Sequence, residues 1–324
     1  MQVLPQFRLA KPRNLKEASA MLAGDPDARV LAGGTDLVAN LRDGLLAPST
    51  LVDLGAIEEL GGIAYETAGV RIGARVTLAQ LAADVRIRAL YPAIAEAAAS
   101  VAGPAHRSVA TLGGNLCLDT RCVFYNQSEW WRRANRYCLK YRGDVCHVAP
   151  QGKSCQAAYS GDMAPALLAF DAEVELARAS ETRRIPLTDL YVEDGAAHMA
   201  LRPGEIVVAV HLPAAIAHVS SGYRKARARG AIDFPLAGVA AALVLEGGLL
   251  RSLRIALTGT NSRPFVLNGT GEMTGRAPDE TLLSEIGKRV QHQVRPLRTT
   301  VTGANYRRQV AAVLAQRLVR ELAV

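Results

Sequence analysis

The sequence predicts an α+β fold of two domains, residues 1–215 and a C-terminal α/β domain at residues 216–324. The chain has 324 residues, of which 49% are hydrophobic, and this is enough for two globular cores. Short β-rich runs alternate with helical patterns before the character of the chain changes across residues 213–221. The 28 Gly and 15 Pro are near average usage, so collagenous and low-complexity classes are excluded.

The N-terminal elements begin with a helix whose start and end are both marked. Asn14 and Glu17 have the spacing of a capping box, apolar residues follow at helical intervals, and Gly24 is a typical C-terminal stop. The patterns after it predict strands at residues 28–31, 50–54 and 70–74, and helices at residues 78–85 and 93–101.

Two further strands and a long final helix complete the pattern. Alternating apolar residues predict strands at residues 172–177 and 205–212. The last helix has an apolar stripe that we expect to face the core, while its arginines are expected on the surface. The stripe comprises Val310, Val313, Leu314, Leu318 and Leu322, and the arginines are Arg307, Arg308, Arg317 and Arg320.

Neither a secreted nor a membrane-spanning protein is predicted. The first 15 residues contain no continuous apolar core and no small-residue cleavage site. The longest uncharged apolar run, residues 234–245, has 12 residues and contains Pro235 and Gly238, whereas a spanning helix needs about 20. We therefore expect a cytoplasmic protein with no membrane partner.

Two diglycine segments are candidate phosphate-binding loops. Consecutive glycines let backbone N–H groups converge on an anion, and a helix start behind them adds a favourable dipole. The alternative, which either segment alone favours, is a simple tight turn. Neither fits G-x-G-x-x-G, and His147 stands where a P-loop ending at residues 152–154 requires Gly, so a Rossmann site and nucleotide hydrolysis are not predicted. The segments are Ala32-Gly33-Gly34-Thr35-Asp36-Leu37 and Thr111-Leu112-Gly113-Gly114-Asn115-Leu116.

All five cysteines fall within 39 residues, which indicates a metal or catalytic site rather than a disulfide framework. Spacing alone leaves iron–sulfur and zinc open, although the absence of C-x-x-C pairs slightly favours a cluster. Residues 121–155 also carry six of the 16 aromatic residues and seven basic against two acidic side chains, so +5 of the net charge of +8 lies there. The candidate ligands are Cys122, Cys138, Cys146 and Cys155, whereas Cys117 is expected to be a small buried residue.

The two diglycine segments, with Asp162-Met163-Ala164-Pro165-Ala166-Leu167-Leu168-Ala169 and Asp233-Phe234-Pro235-Leu236, resemble the FAD-binding subunit of the xanthine oxidase family of molybdenum enzymes. The resemblance implies an FAD-binding domain of two small subdomains (PCMH-type) to about residue 215. It also implies FAD contacts from Leu31, Ala32, Gly33, Gly34, Thr35, Asp36, Leu37, Thr111, Gly113, Gly114, Asn115 and Asp162, with Ala102 and Lys225 as further candidates.

Residues 118–157 are longer than the usual family connection and resemble an insertion that carries an additional [4Fe-4S] cluster in one branch of the family. That branch implies an anaerobic reductase of aromatic acyl-CoA thioesters in which reduced ferredoxin supplies electrons. They would pass through the cluster and FAD to [2Fe-2S] centres and a molybdenum cofactor on a small and a large partner subunit, in a dimer of heterotrimers. The alternative is an FAD subunit of a molybdenum hydroxylase that oxidises its substrate, with the insertion as a docking element.

A zinc-stabilised nucleic-acid-binding protein is a further hypothesis from a different class. It would use the basic insertion and the basic run at residues 223–229. A solvated strand face or a subunit contact is the favoured interpretation of that run, so no nucleic-acid partner is expected. No catalytic residue is predicted in this chain, because neither a Ser-His-Asp spacing nor a paired-carboxylate motif is present.

Overall fold

The computed structural model describes residues 4–215 and 218–324, and the predicted α+β fold is confirmed. The predicted division between residues 215 and 216 adjoins residues 216 and 217, which lie outside the described residues. The described strands form three separate sheets. They are β1 (Arg8–Ala10), β2 (Arg29–Leu31), β3 (Thr50–Asp53), β4 (Ile63–Glu66), β5 (Gly69–Gly73), β6 (Glu173–Arg178), β7 (Glu181–Pro186), β8 (Ile206–Pro213), β9 (Val219–Ala226), β10 (Ala237–Glu246), β11 (Leu249–Thr258) and β12 (Phe265–Val266).

Most of the helices are short, and the two longest lie near the C-terminus. No helix among the described residues is long and apolar enough to cross a membrane. The helices are α1 (Leu15–Gly24), α2 (Leu37–Arg42), α3 (Leu78–Ala83), α4 (Val85–Leu90), α5 (Pro92–Ser100), α6 (Pro104–Arg107), α7 (Leu112–Leu116), α8 (Glu129–Ala134), α9 (Met163–Leu168), α10 (Glu280–Gln293) and α11 (Ala304–Leu322).

The first two sheets form the N-terminal part of the chain. The first is parallel, with strand order β1-β3-β2, and α1 begins at the predicted capping box, where the Asn14 side chain accepts a hydrogen bond from the Glu17 N–H at 2.9 Å. The second sheet is antiparallel with order β4-β5-β8-β6-β7. Strand β8 reaches its place from far along the chain, and the cysteine-rich segment lies between β5 and β6 in the sequence.

The third sheet is antiparallel, with order β12-β11-β10-β9, and α10 and α11 pack on it. Its inward face carries Val239, Leu243 and Ile255, which are buried with Leu318 and Val319 of α11. The opposite face of β10 and β11 contributes Ala240 and Ala256 to the larger N-terminal core. The sheet is therefore covered on both sides, in agreement with its nearly continuous apolar sequence.

Two local predictions differ from the structure. The helix predicted at residues 78–85 ends at Ala83, because the Asp84 side chain accepts hydrogen bonds from the N–H groups of Arg86 and Ile87 and starts a second helix, α4. The prediction that Arg307 is a surface residue of the last helix is wrong, since its side chain is fully buried. Its guanidinium donates hydrogen bonds to the carbonyls of Leu236 and Leu297, which satisfies the buried charge.

Candidate functional site

The first diglycine segment connects β2 to α2. Leu31 ends the strand, Ala32 to Asp36 form the connection, and Leu37 begins the helix. Gly34 has a φ of +69°, a left-handed conformation that favours glycine, and its carbonyl accepts a hydrogen bond from the Val38 N–H at 2.9 Å. At Gly33 a Cβ atom would lie 2.0 Å from the carbonyl oxygen of Val109. The first diglycine segment therefore approaches the residues just before the second one, at a point where only glycine fits.

Gly33→Ala is expected to separate the two segments and to weaken flavin retention, with a loss of stability of about 1–3 kcal/mol or more. The reason is that the added methyl group meets backbone, which cannot move aside as a side chain can. FAD content and the free energy of unfolding measure the effect. Gly24→Ala is the matched control, because a Cβ at Gly24 meets nothing within 4 Å. Equal FAD content in both variants would contradict this prediction.

The second diglycine segment is a single helical turn, α7, rather than the predicted loop. Thr111 caps it, and the Thr111 hydroxyl accepts a hydrogen bond from the Gly114 N–H at 3.1 Å. Gly113 lies against Ala74, where a Cβ would be 2.8 Å from the Ala74 Cβ. The Thr111 and Gly114 spacing is the N-cap signal that could have predicted the turn.

Asn115 and Asp162 meet beneath this turn. The Asn115 side-chain oxygen accepts a hydrogen bond from the Met163 N–H at 2.9 Å. The buried Asp162 carboxylate pairs with the Lys225 ammonium at 3.0 Å and accepts a hydrogen bond from the Tyr223 hydroxyl at 2.6 Å. Burial raises the pKa of Asp162, although Lys225 and Tyr223 oppose the shift.

Tyr223 and Lys225 belong to the basic run at residues 223–229, and both side chains point into the protein. These two side chains from β9 satisfy a buried carboxylate instead of lining a free basic face. Ala102, another predicted contact, has a φ of +43°, and its carbonyl accepts a hydrogen bond from the Ile232 N–H at 3.3 Å. Strand β9 thus reaches Asp162, and the loop between β9 and β10 reaches Ala102.

Asp36, in the first diglycine segment, is joined to the cysteine-rich segment. Its carboxylate forms an ion pair with Arg121 and accepts a hydrogen bond from the Asp119 N–H at 3.4 Å. The Arg121 guanidinium also lies over the ring of Phe234, with 4.9 Å between its central carbon and the ring centroid. Sequence reasoning missed Arg121 and Asp119, because their partners lie more than 80 residues away along the chain.

The four candidate ligand cysteines line a single cavity. Cys122, Cys146 and Cys155 are buried and Cys138 is half-buried. The rest of the lining is mostly apolar and aromatic, with one lysine and one histidine. It comprises Phe124, Tyr125, Leu139, Lys140, His147, Val148 and Ala157.

The cavity offers four thiols as donors. Among residues 4–215 and 218–324, no three or more His, Cys, Asp or Glu side chains converge closely enough to hold a single metal ion. Four cysteine thiols are a donor set that structural zinc sites and iron–sulfur clusters both use.

The electrostatics of the cavity oppose free thiolates. Burial raises the pKa of Cys122, and it raises the pKa of Cys155 to about 12 although the Lys140 charge opposes this. Thiol ligands must lose their protons when a metal binds, so metal uptake here would release protons and depend on pH.

The cavity is anchored to both neighbouring parts of the chain. The Cys155 N–H donates to the Asp194 carboxylate at 3.2 Å, and the Cys155 carbonyl accepts from the Gly195 N–H at 2.8 Å and from the Ser262 hydroxyl at 3.2 Å. On the opposite side, the Val123 N–H donates to the Thr299 carbonyl at 2.9 Å. The insertion therefore depends on the rest of the fold for its position.

Cys117 was expected to be buried, and the structure places it at the surface, where its side chain is exposed. It follows α7 and is absent from the lining of the cysteine cavity. Cys117 is thus separated from the four clustered cysteines in structure as it is in sequence.

Comparison with known proteins matches nearly all of the chain. Residues 5–215 match the family described as the FAD binding domain in molybdopterin dehydrogenase, and residues 221–322 match the CO dehydrogenase flavoprotein C-terminal domain. The chain is 34% identical to the aldehyde oxidoreductase FAD-binding subunit PaoB of Escherichia coli strain K12, over 77% of this chain and 80% of that protein. It is 28% identical to the xanthine dehydrogenase FAD-binding subunit of Escherichia coli O157:H7, over 95% of this chain and 92% of that protein.

A solved structure extends the likeness to the whole fold. Reconstituted CO dehydrogenase from Oligotropha carboxidovorans superposes on this chain with a TM-score of 0.81 and 25% identity, covering 99% of each chain. The overall fold is therefore shared with that chain.

Proposed function

We propose a function from one premise: the chain belongs to the family of FAD-binding subunits of molybdopterin-dependent dehydrogenases, the xanthine oxidase family. The proposal is that it is the FAD- and [4Fe-4S]-containing electron-transfer subunit of a molybdenum reductase. The cluster is proposed because four cysteines surround one cavity, next to residues that contact the first diglycine segment.

In this proposal the two diglycine segments hold the FAD diphosphate. At Gly33 and Gly34 no side chain stands in the way of the backbone N–H groups, whereas the Gly114 N–H already donates to the Thr111 hydroxyl. Asn115 ties the second segment to Met163, the neighbour of Asp162. Leu31, Ala32, Thr35, Leu37, Thr111, Gly113, Ala102 and Lys225 complete the contact set or support it from behind. When bound, FAD supplies the exchange between two-electron and one-electron transfer.

Cys122, Cys138, Cys146 and Cys155 hold the cluster in this proposal. The apolar and aromatic lining excludes water from it, and nearby cations offset the negative charge of a group with four thiolates. Lys140 lines the cavity, and Arg132 lies buried with its guanidinium 5.8 Å from the Tyr125 ring centroid.

The most specific form of the proposal is the beta subunit of 4-hydroxybenzoyl-CoA reductase, which the cysteine spacing and the insertion resemble. That enzyme removes the phenolic hydroxyl of 4-hydroxybenzoyl-CoA. Two electrons and two protons convert the substrate to benzoyl-CoA and water. The partners are a molybdenum-binding large subunit and a [2Fe-2S] small subunit in a dimer of heterotrimers, within a cytoplasmic, anaerobic route of aromatic degradation.

A basic surface beside the cysteines suits an acidic electron donor such as ferredoxin. Trp130 is 70% exposed on α8, and Arg133, Arg136 and Arg142 of the same segment are also exposed. Exposed positive charges steer an oppositely charged partner, and an exposed aromatic residue provides an apolar contact.

The double variant Arg133→Glu/Arg136→Glu is expected to slow reduction of the complex by reduced ferredoxin about tenfold at low salt, because steering contributes 10–10³-fold to association rates. Flavin bleaching in an anaerobic stopped-flow experiment measures the rate. Arg251→Glu, an exposed site in the third sheet, is the matched control. If reduced ferredoxin fails to bleach the flavin of the unmodified complex, the proposed donor is wrong.

The second candidate is an FAD subunit of a molybdenum hydroxylase that sends electrons outward from its substrate. The names of the relatives, an aldehyde oxidoreductase and a xanthine dehydrogenase, favour it. The content of iron and labile sulfide distinguishes the reductase from the hydroxylase. A complex that is active without iron bound to Cys122, Cys138, Cys146 and Cys155 would favour the hydroxylase.

A further inference from the structure

We propose that Lys140, paired with Asp119, sets the reduction potential of the group held by the four cysteines by placing a buried positive charge in the wall of its cavity. The inference rests on the proposed cluster and adds a role for a residue that is not one of its ligands. It is carried by the contacts, the burial and the polarity of one ion pair.

Lys140 is a buried cation with a fixed position. Its side chain is 6% exposed, and its ammonium donates to the Asp119 carboxylate at 2.7 Å, the Thr120 carbonyl at 3.1 Å and the Gly195 carbonyl at 3.2 Å. A further hydrogen bond joins it to the Thr120 hydroxyl. Because all of these partners are oxygens that can accept a hydrogen bond, they hold the ammonium at one place.

The two members of the ion pair differ in their position relative to the cavity. Lys140 lines the cavity, whereas Asp119 does not, and the Asp119 side chain is 28% exposed. The ammonium also lies 4.8 Å from the centroid of the Tyr125 ring, which is part of the lining. Lys140 is therefore part of the wall that the four cysteines share, whereas its carboxylate partner lies outside that wall.

The same pair adjoins both candidate cofactor positions. The Asp119 N–H donates to the Asp36 carboxylate in the first diglycine segment. The Gly195 carbonyl accepts from Lys140, and the Gly195 N–H donates to the Cys155 carbonyl. Lys140 is thus positioned by the backbone that also positions Cys155, and the pair lies between the cysteines and the first diglycine segment.

One-electron reduction of a cluster adds one negative charge inside the cavity. A nearby fixed cation stabilises the reduced state, and the interaction is strong because the low dielectric of the interior screens it little. A solvated lysine of the same segment lacks this effect, because water screens its charge. Lys153, which is exposed, provides that comparison.

The test is a redox titration of the cluster, followed by electron paramagnetic resonance, in the purified complex. Lys140→Met removes the cation and leaves Asp119 unpaired, so the reduced-to-oxidised ratio at a fixed potential is expected to fall about tenfold, equivalent to about 59 mV for a one-electron couple. Asp119→Asn keeps the shape and removes the anion, so the potential is expected to rise. Lys153→Met is expected to leave it unchanged.

Reduction potentials that shift in opposite directions in the Lys140 and Asp119 variants identify a charge effect, since a loosened cavity would shift the two potentials in the same direction. If Lys140→Met cannot hold the cluster, the isosteric Asp119→Asn decides by the sign of its shift. An intact cluster with the same potential in Asp119→Asn and the unmodified chain would overturn this inference alone. A complex with flavin but without iron and sulfide would overturn the proposed function and this inference together.

Discussion

Cys155→Ser is expected to remove most of the iron and labile sulfide from the chain while FAD remains bound. The same result is expected for Ser at Cys122, Cys138 or Cys146. Each of these thiols faces the shared cavity, so no spare thiolate is available to replace the one lost. Loss of a direct ligand is expected to cost more than the roughly 10–100-fold in metal affinity that changes to supporting residues produce.

Cys117→Ser is the matched control for these four variants. It removes a thiol from the same short region, but Cys117 lies outside the cavity. Iron, sulfide and FAD measured on each anaerobically purified variant separate the outcomes. A Cys155→Ser chain with unchanged iron, or a Cys117→Ser chain that loses it, would contradict the assignment of ligands.

Lys225→Met is expected to destabilise the chain by about 3–5 kcal/mol, the usual cost of removing one partner of a buried ion pair. The Asp162 carboxylate would stay buried with the Tyr223 hydroxyl as its remaining polar side-chain partner. Denaturant unfolding measures the loss. Arg251→Met breaks the exposed pair with Glu246 and is expected to cost only about 0–1 kcal/mol.

The loss of stability in Lys225→Met is expected to depend on pH. Burial already raises the pKa of Asp162, and loss of Lys225 would raise it further. A carboxyl group whose folded-state pKa is raised binds more protons in the folded state, so stability falls as pH rises through the unfolded and folded pKa values. The destabilisation by Lys225→Met is therefore expected to be larger at neutral than at acidic pH.

The double variant Asp162→Asn/Lys225→Met completes the thermodynamic cycle. Removing both charges leaves no unpaired ion, so most of the lost stability is expected to return. FAD retention is a separate readout of the same variants, because Asp162 adjoins the segment that contains Asn115. Equal losses in the single and double variants would show that the charge pair does not account for the effect.

Local signals in the sequence predicted much of the fold. Asn14 caps α1 as expected, although the Glu17 side chain bonds to the Arg13 N–H instead of the Asn14 N–H that a full capping box requires. The strands around residues 28–31, 50–54 and 70–74 differ from prediction by only a residue or two at their ends. These elements depend on neighbouring residues, which is why pattern and capping rules identify them. Asp84 was missed as a helix start because the apolar pattern continues through it.

The candidate site was predictable in its residue types and less so in its connections. The grouping of the cysteines indicated a metal site, but their shared cavity depends on residues 194–195, 262 and 299, which no local pattern links to them. Arg307 was misassigned to the surface for the same reason, since its acceptors come from distant loops. Lys140 and Arg121 are likewise defined by partners that only the fold brings near.

Iron, acid-labile sulfide, zinc and FAD quantified together on the anaerobically purified chain test the central claim most directly. About one FAD with about four iron and four sulfide per chain is expected, as a [4Fe-4S] cluster requires. A chain that holds FAD and no iron would contradict the cluster assignment, and a colourless zinc protein without flavin would contradict both the cluster and the FAD assignments.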